Sequence, residues 1–119
     1  MKFIRKGYEI TLNRVHDTVT VNENGEKLQL VVNADPMRIV AGLNKAQAKL
    51  SEVTKKEDPT EDEMKEAAEY FAAVIFGIDQ ARKLMEFYAE DSACVINVCG
   101  QYFRERLGKK IAEMQKKIG

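Results

Sequence analysis

Histidine is nearly missing from this chain: among 119 residues His16 is the only one. That excludes the H-E-x-x-H zinc proteases and every other centre that needs two imidazoles. As a lone general base His16 would need an orienting carboxylate, and its neighbour Asp17 points the other way along an extended chain. It reads as a loop histidine with no role in chemistry. Cysteine is scarce as well. Cys94 and Cys99 lie five apart in a helical segment, which sets them about 140° apart around the axis and badly placed to bridge each other. With no C-x-x-C spacing and no second pair, both are expected to be reduced and packed in a helix, holding neither metal nor cofactor.

Charge of one sign is not in excess: nineteen basic side chains balance nineteen acidic ones. A neutral chain lacks the positive field behind most non-specific affinity for a phosphate backbone, so nucleic acid is not an expected partner. Long apolar runs are missing too. The longest, Phe71 to Phe76, is far too short to cross a bilayer, and the polar start Met1 to Lys6 has no apolar segment behind it to make a signal peptide. No membrane partner and a cytoplasmic location are expected.

What is present is ordinary for a globular protein, with 45% apolar and 32% charged residues, so a disordered or fibrous chain is not suggested. At this length one domain over 1–119 buries roughly two thirds of its unfolded surface. From Gly7 to Asn33 the pattern has period two. Tyr8, Ile10 and Leu12 alternate with polar residues, Val19 and Val21 do the same, and a third run covers Lys27 to Asn33. Asn24-Gly25 supplies the positive φ angles of a tight hairpin, and Arg14 to Asp17 reads as the first loop. The expectation is an α+β fold: a small antiparallel β-meander of about three strands over 1–34, followed over 35–119 by a bundle of three to four helices.

Asp35-Pro36 marks the first helix start, with Ile39, Val40, Leu43, Ala46, Leu50 and Val53 on one stripe. Thr60-Glu61-Asp62-Glu63 is a capping box, opening a second helix with Met64, Ala67, Ala68, Phe71, Ile75 and Ile78 buried. Gly77 ends it, and Asp79 reads as the cap of a short third helix striped by Ala81, Leu84, Met85 and Tyr88. The last helix runs from about Ala93 to the end, with Ile96, Cys99, Phe103, Leu107, Ile111, Met114 and Ile118 on one side.

No catalytic centre emerges. A P-loop needs four residues between its glycines, whereas seven separate Gly100 from Gly108, so Gly100 reads as a close approach of a neighbour to a helix. The acidic groups at Glu61 to Glu63 and at Glu90-Asp91 sit where helix N-termini attract negative charge. Between Glu57 and Glu69 seven acidic residues face one lysine, and from Gln101 onward six basic residues face Glu105 and Glu113. Solvated faces account for this, or the acidic start of one subunit meets the basic last helix of another in a homo-oligomer. Phe87-Tyr88 and Tyr102-Phe103 are adjacent aromatic pairs, and neighbours about 100° apart cannot share one buried face. The second surface is either another helix of the core or a protein partner. Phe87, Tyr88, Tyr102, Phe103, Arg106, Leu107 and Lys110 are therefore the expected protein-binding residues.

The run Phe76-Gly77-Ile78-Asp79-Gln80-Ala81, then Leu84 to Tyr88, Asp91, and Val95-Ile96-Asn97-Val98-Cys99 before a lysine-ended helix, resembles the small tail assembly chaperones of long-tailed phages and prophages of Gram-positive hosts. The step from a short sheet through Asn33-Ala34-Asp35 into a helix is similar too, and the resemblance covers most of the chain. It implies a non-enzymatic protein of the bacterial host cytoplasm that coats the tape measure protein until tail tube subunits displace it. A generic protein-interaction domain, a small DNA-binding regulator and a small enzyme using lone carboxylates or one cysteine are the alternatives.

Overall fold

The computed structural model describes residues 2–5, 8–11 and 14–118, with side chains over 14–113. Two antiparallel hairpins come first. β1 (Lys2–Arg5) pairs with β2 (Tyr8–Thr11), and β3 (Val15–Glu23) pairs with β4 (Glu26–Ala34) in a register running from Val15 opposite Ala34 to Glu23 opposite Glu26. Asn24 and Gly25 turn the second hairpin with φ of 50° and 85°, the left-handed pair that matches strand twist.

The α+β class stands, but four strands in two hairpins replace the three-stranded meander. The Tyr8 run pairs with Lys2–Arg5, a stretch not expected to be a strand. β3 starts at Val15, so His16 lies on a strand and the Arg14 to Asp17 loop does not exist; Leu12 and Asn13 lie outside the described residues. The misreading has a physical origin. Val15, Asp17, Val19 and Val21 share the inward face, and a carboxylate in that series hides the alternation until its partners on the last helix are known.

Five helices follow: α1 (Pro36–Thr54), α2 (Glu61–Phe76), α3 (Ile78–Phe87), α4 (Ser92–Tyr102) and α5 (Gly108–Ile118). Asp35 caps α1 by accepting from the Met37 N–H at 2.9 Å, and Thr60 and Glu63 form the reciprocal capping box of α2. α2 is the hub, packed on α1, α3, α4 and β4. Its buried face is built from Ala67, Ala68 and Ala72, small enough to let neighbours close in, and from Ile75 and Phe76. Where α1 crosses it, a methyl group on Gly42 would lie 2.7 Å from Val74 Cγ1. The close approach expected at Gly100 falls here, since a methyl at Gly100 would meet only the mobile tip of Arg104.

Gly77 ends α2 and opens α3 with φ of 86° and ψ of 159°, a conformation essentially reserved for glycine. Asp79 is not the cap; it sits in the first turn of α3, and no side chain caps that helix. The same break puts Ile78, expected in the α2 stripe, at 50% exposure. Ala89 and Glu90 take left-handed φ of 52° and 64°, and Asp91 then caps α4 by accepting from the Cys94 N–H.

The last helix is not one regular rod. Phe103–Leu107 forms a π-turn between α4 and α5, in which the Gly108 N–H donates to the Phe103 carbonyl, five residues back. Gly108 suits the spot because a methyl there would lie 3.1 Å from that oxygen. The extra residue resets the buried face, so Cys99, Tyr102, Leu107 and Ile111 point inward and Phe103, expected in the stripe, turns out to 36% exposure. Among the described residues no helix is long and apolar enough to cross a membrane.

Candidate protein-binding groove

The seven expected binding residues separate into different environments. Leu107 and Tyr102 belong to the core, and Tyr102 stacks on Phe76 with ring centroids 5.8 Å apart. Phe87 and Tyr88 are half-buried and meet edge to face at 5.2 Å. Each pair thus finds its second surface largely within the chain. Lys110 is half-buried on α5, Arg106 is engaged by β3, and Phe103 alone of the seven lines an apolar groove.

That groove, about 380 Å³, runs between α1 and α5. Val40, Leu43 and Leu50 form one wall, Phe71 of α2 the floor, and Phe103 with Ile111 the other wall. Its cause lies in side-chain size. α1 presents long branched residues to a helix faced with alanine, so Ile39 and Ala46 are buried while Val40, Leu43 and Leu50 stay half-buried. The sequence puts Ile39, Val40, Leu43, Ala46 and Leu50 on one stripe without dividing it into core and surface. A stripe broader than the alanine face of α2 can cover was the available signal.

Asp17 is the most constrained charge. Its side chain is 6% exposed and accepts Arg106 Nη2 at 2.6 Å, Arg106 Nε at 2.9 Å and the Tyr102 hydroxyl at 3.0 Å. The Thr18 N–H adds a fourth bond at 2.9 Å. Burial opposes ionisation of this carboxyl, but the bonds from Tyr102, Thr18 and Arg106 outweigh it and hold its pKa below the ordinary value. The Tyr102 hydroxyl is pushed well up by burial and by its bond to the carboxylate. This cluster ties the π-turn to β3, with both Asp17 carboxylate oxygens engaged by its neighbours.

The cysteines offer no activated thiol. Cys99 is buried, and desolvation lifts its thiol to about 12; the bond to Asp91 raises Cys94, which is half-buried. Among the described residues no three His, Cys, Asp or Glu side chains gather in a way that suits a metal ion. The acidic stretch is used locally. Glu61 pairs with Lys65, Glu63 with Lys56, Glu66 with Lys49 and Glu69 with Arg82, so four of its seven carboxylates meet basic groups of the same chain.

Fold and groove together describe an α+β domain with an apolar channel between two helices. Comparison with family models, with curated proteins and with solved structures finds no match for this chain.

Proposed function

We propose that this chain is a non-enzymatic assembly chaperone of long-tailed phages, which shields the amphipathic helical tape measure protein in the host cytoplasm until tail tube subunits displace it. The observation behind this reading is the apolar groove between α1 and α5. A channel flanked by two helices, with apolar walls and Asn44 and Gln47 beside them, suits an amphipathic helix that lays its i, i+3, i+4, i+7 side chains inward.

Burying three anchoring Leu, Ile or Phe side chains contributes about 5–9 kcal/mol before association costs. Those costs, about 4 kcal/mol or more, leave weak and reversible affinity, which a chaperone displaced during assembly requires. The test is co-expression with a tape measure protein. The wild-type chain is expected to keep it soluble and to co-purify with it, whereas Phe103→Asp and Leu50→Asp lose both effects and keep their circular dichroism. Undiminished co-purification by folded Phe103→Asp and Leu50→Asp variants would refute the assignment. Leu107→Asp is a different case: Leu107 is core, so that variant is expected to unfold.

A further inference from the structure

The two outer edges of the β3–β4 hairpin are treated differently. On β4 the edge is closed, because the Gln80 side chain pairs with both polar groups of Val31, donating to its carbonyl and accepting from its N–H at 2.7 Å each. Arg14 covers the next outward carbonyl, that of Asn33, at 3.1 Å. Since Val31 gives both groups to Gln80, its cross-strand pair with Thr18 is of the non-hydrogen-bonded kind. The N–H and C=O of Thr18, and with period two those of Thr20 and Asn22, therefore face away from β4. Asp17 takes the Thr18 N–H. The outward groups of Thr20 and Asn22 have no partner among the described residues. β3 has no proline, no lysine and no bulge to guard a free edge, and its one inward-pointing charge, Asp17, lies before the Thr18–Asn22 stretch.

Beside this edge runs a second groove of about 390 Å³, walled by Val19 and Val21 of β3 and by Tyr88, Val98 and Gln101 across from them. We propose that the free edge of β3 takes up an extended, basic polypeptide segment as an added strand, its alternate side chains pointing into this groove. Backbone pairing supplies the affinity and the groove the side-chain selection. The charge around it selects basic residues. Its charged lining residues are Glu105 and Arg106, and Arg106 is already neutralised by Asp17. At the other end Glu23 lies close enough to Tyr88 to add, after burial, to the upward shift of its hydroxyl. Glu105 follows the Tyr102 end of α4 and Glu23 ends β3, so negative charge brackets an edge that spans about 17 Å from Thr18 to Glu23. The occupant is thus five to seven residues in extended form, with apolar side chains toward the groove and lysines or arginines at its ends. This site is separate from the α1–α5 groove, so it stands whether or not that groove binds a tape measure helix.

The experiment is amide hydrogen exchange by NMR on the full chain with an acetylated, amidated heptapeptide of sequence KVTVTVK. Saturating peptide is expected to slow exchange at Thr20 and Asn22 about tenfold or more, while Gln29 and Val31 on β4 are unchanged. Thr20→Pro removes an N–H that does not pair with β4, and is expected to fold and to weaken binding about tenfold, the worth of one hydrogen bond. Glu105→Lys, on an exposed position, is expected to weaken it several-fold at low salt and carries the test if the proline variant unfolds. A peptide N-methylated at every valine and threonine, which leaves donors on neither of its edges, is expected not to bind. No slowing at Thr20 and Asn22 with millimolar peptide would overturn the proposal, as would equal binding of the N-methylated peptide. Protection of these amides in a concentration-dependent dimer without peptide would give the edge to a second copy and overturn it as well.

Discussion

Deleting Phe103 tests the reading of the last helix. The buried positions Cys99, Tyr102, Leu107 and Ile111 are separated by steps of three, five and four residues, and the five-residue step is possible only because Phe103–Leu107 is a π-turn. Removing one residue inside that turn converts the step to four, the spacing of a regular α-helix, so Leu107 and Ile111 return to the places they already hold. Phe103 is the residue to remove because its ring is partly exposed and its loss opens no core cavity. Stability is then expected to change by no more than about 1 kcal/mol, as better backbone geometry offsets the lost partial burial. If the helix were regular through this region, the same deletion would rotate α5 by about 100° and expose both side chains, at about 1.5–3 kcal/mol each. The sum, about 3–6 kcal/mol, is a large part of a domain's total stability of about 5–15 kcal/mol. Urea unfolding followed by circular dichroism separates the two cases, because the midpoint stays close to wild type in the first and collapses in the second. A loss above about 3 kcal/mol would refute the π-turn. The deletion also removes one wall of the α1–α5 groove, so retained stability is expected to come with lost capture of the tape measure protein.

Asp17→Ala removes the acceptor of four hydrogen bonds and is expected to cost about 2 kcal/mol at pH 7, on the scale of one charged hydrogen bond because Arg106 is largely solvated. The Asp17 carboxyl is held below its ordinary value of 3.8, so its contribution is present above about pH 4 and is lost as pH falls through the folded-state value. Urea melts of wild type and variant are therefore expected to draw together as pH falls below the ordinary carboxylate value; a gap independent of pH would contradict the ion pair. Gly42→Ala gains about 1 kcal/mol of helix propensity but forces a methyl into Val74, an overpacking that costs about 1–3 kcal/mol. A net loss of about 1 kcal/mol is expected, and a second change, Val74→Ala, should relieve the clash, which a double-mutant cycle will read as coupling. At pH 8 a disulfide reagent is expected to label Cys94 slowly and Cys99 only after unfolding, and prompt labelling of Cys99 would show that its burial is wrong.

The parts of this fold that were legible in the sequence are those written in a few adjacent residues. Asn24-Gly25 encodes its own backbone conformation, Asp35-Pro36 its own cap, and Thr60 to Glu63 its reciprocal pair, and all three occur where expected. What was not legible depends on residues far apart. Asp17 belongs to a strand because Arg106, 89 positions later, and Tyr102, 85 positions later, satisfy it on the inward face; without them a carboxylate in that series reads as a loop. The α1–α5 groove was hidden for a related reason. Periodicity reports that Val40, Leu43 and Leu50 share a face, but whether a neighbour covers that face depends on the size of the residues opposite, which here are alanines.

The adjacent pair Tyr102-Phe103 shows how the two kinds of information meet. Sequence spacing alone establishes that one surface cannot bury both rings, and a strict helical stripe then selects Phe103 as the inward one, continuing from Cys99 to Leu107 at four-residue steps. Chemistry selects the other. Tyr102 has a hydroxyl, and the nearly buried Asp17 needs a donor, so burying Tyr102 satisfies both groups at 3.0 Å, whereas burying Phe103 would leave the carboxylate with one fewer bond. The π-turn follows from that choice, because Leu107 must still reach the core from a stripe displaced by one residue. Phe103, released by the same displacement, becomes the wall of the groove on which the proposed function rests.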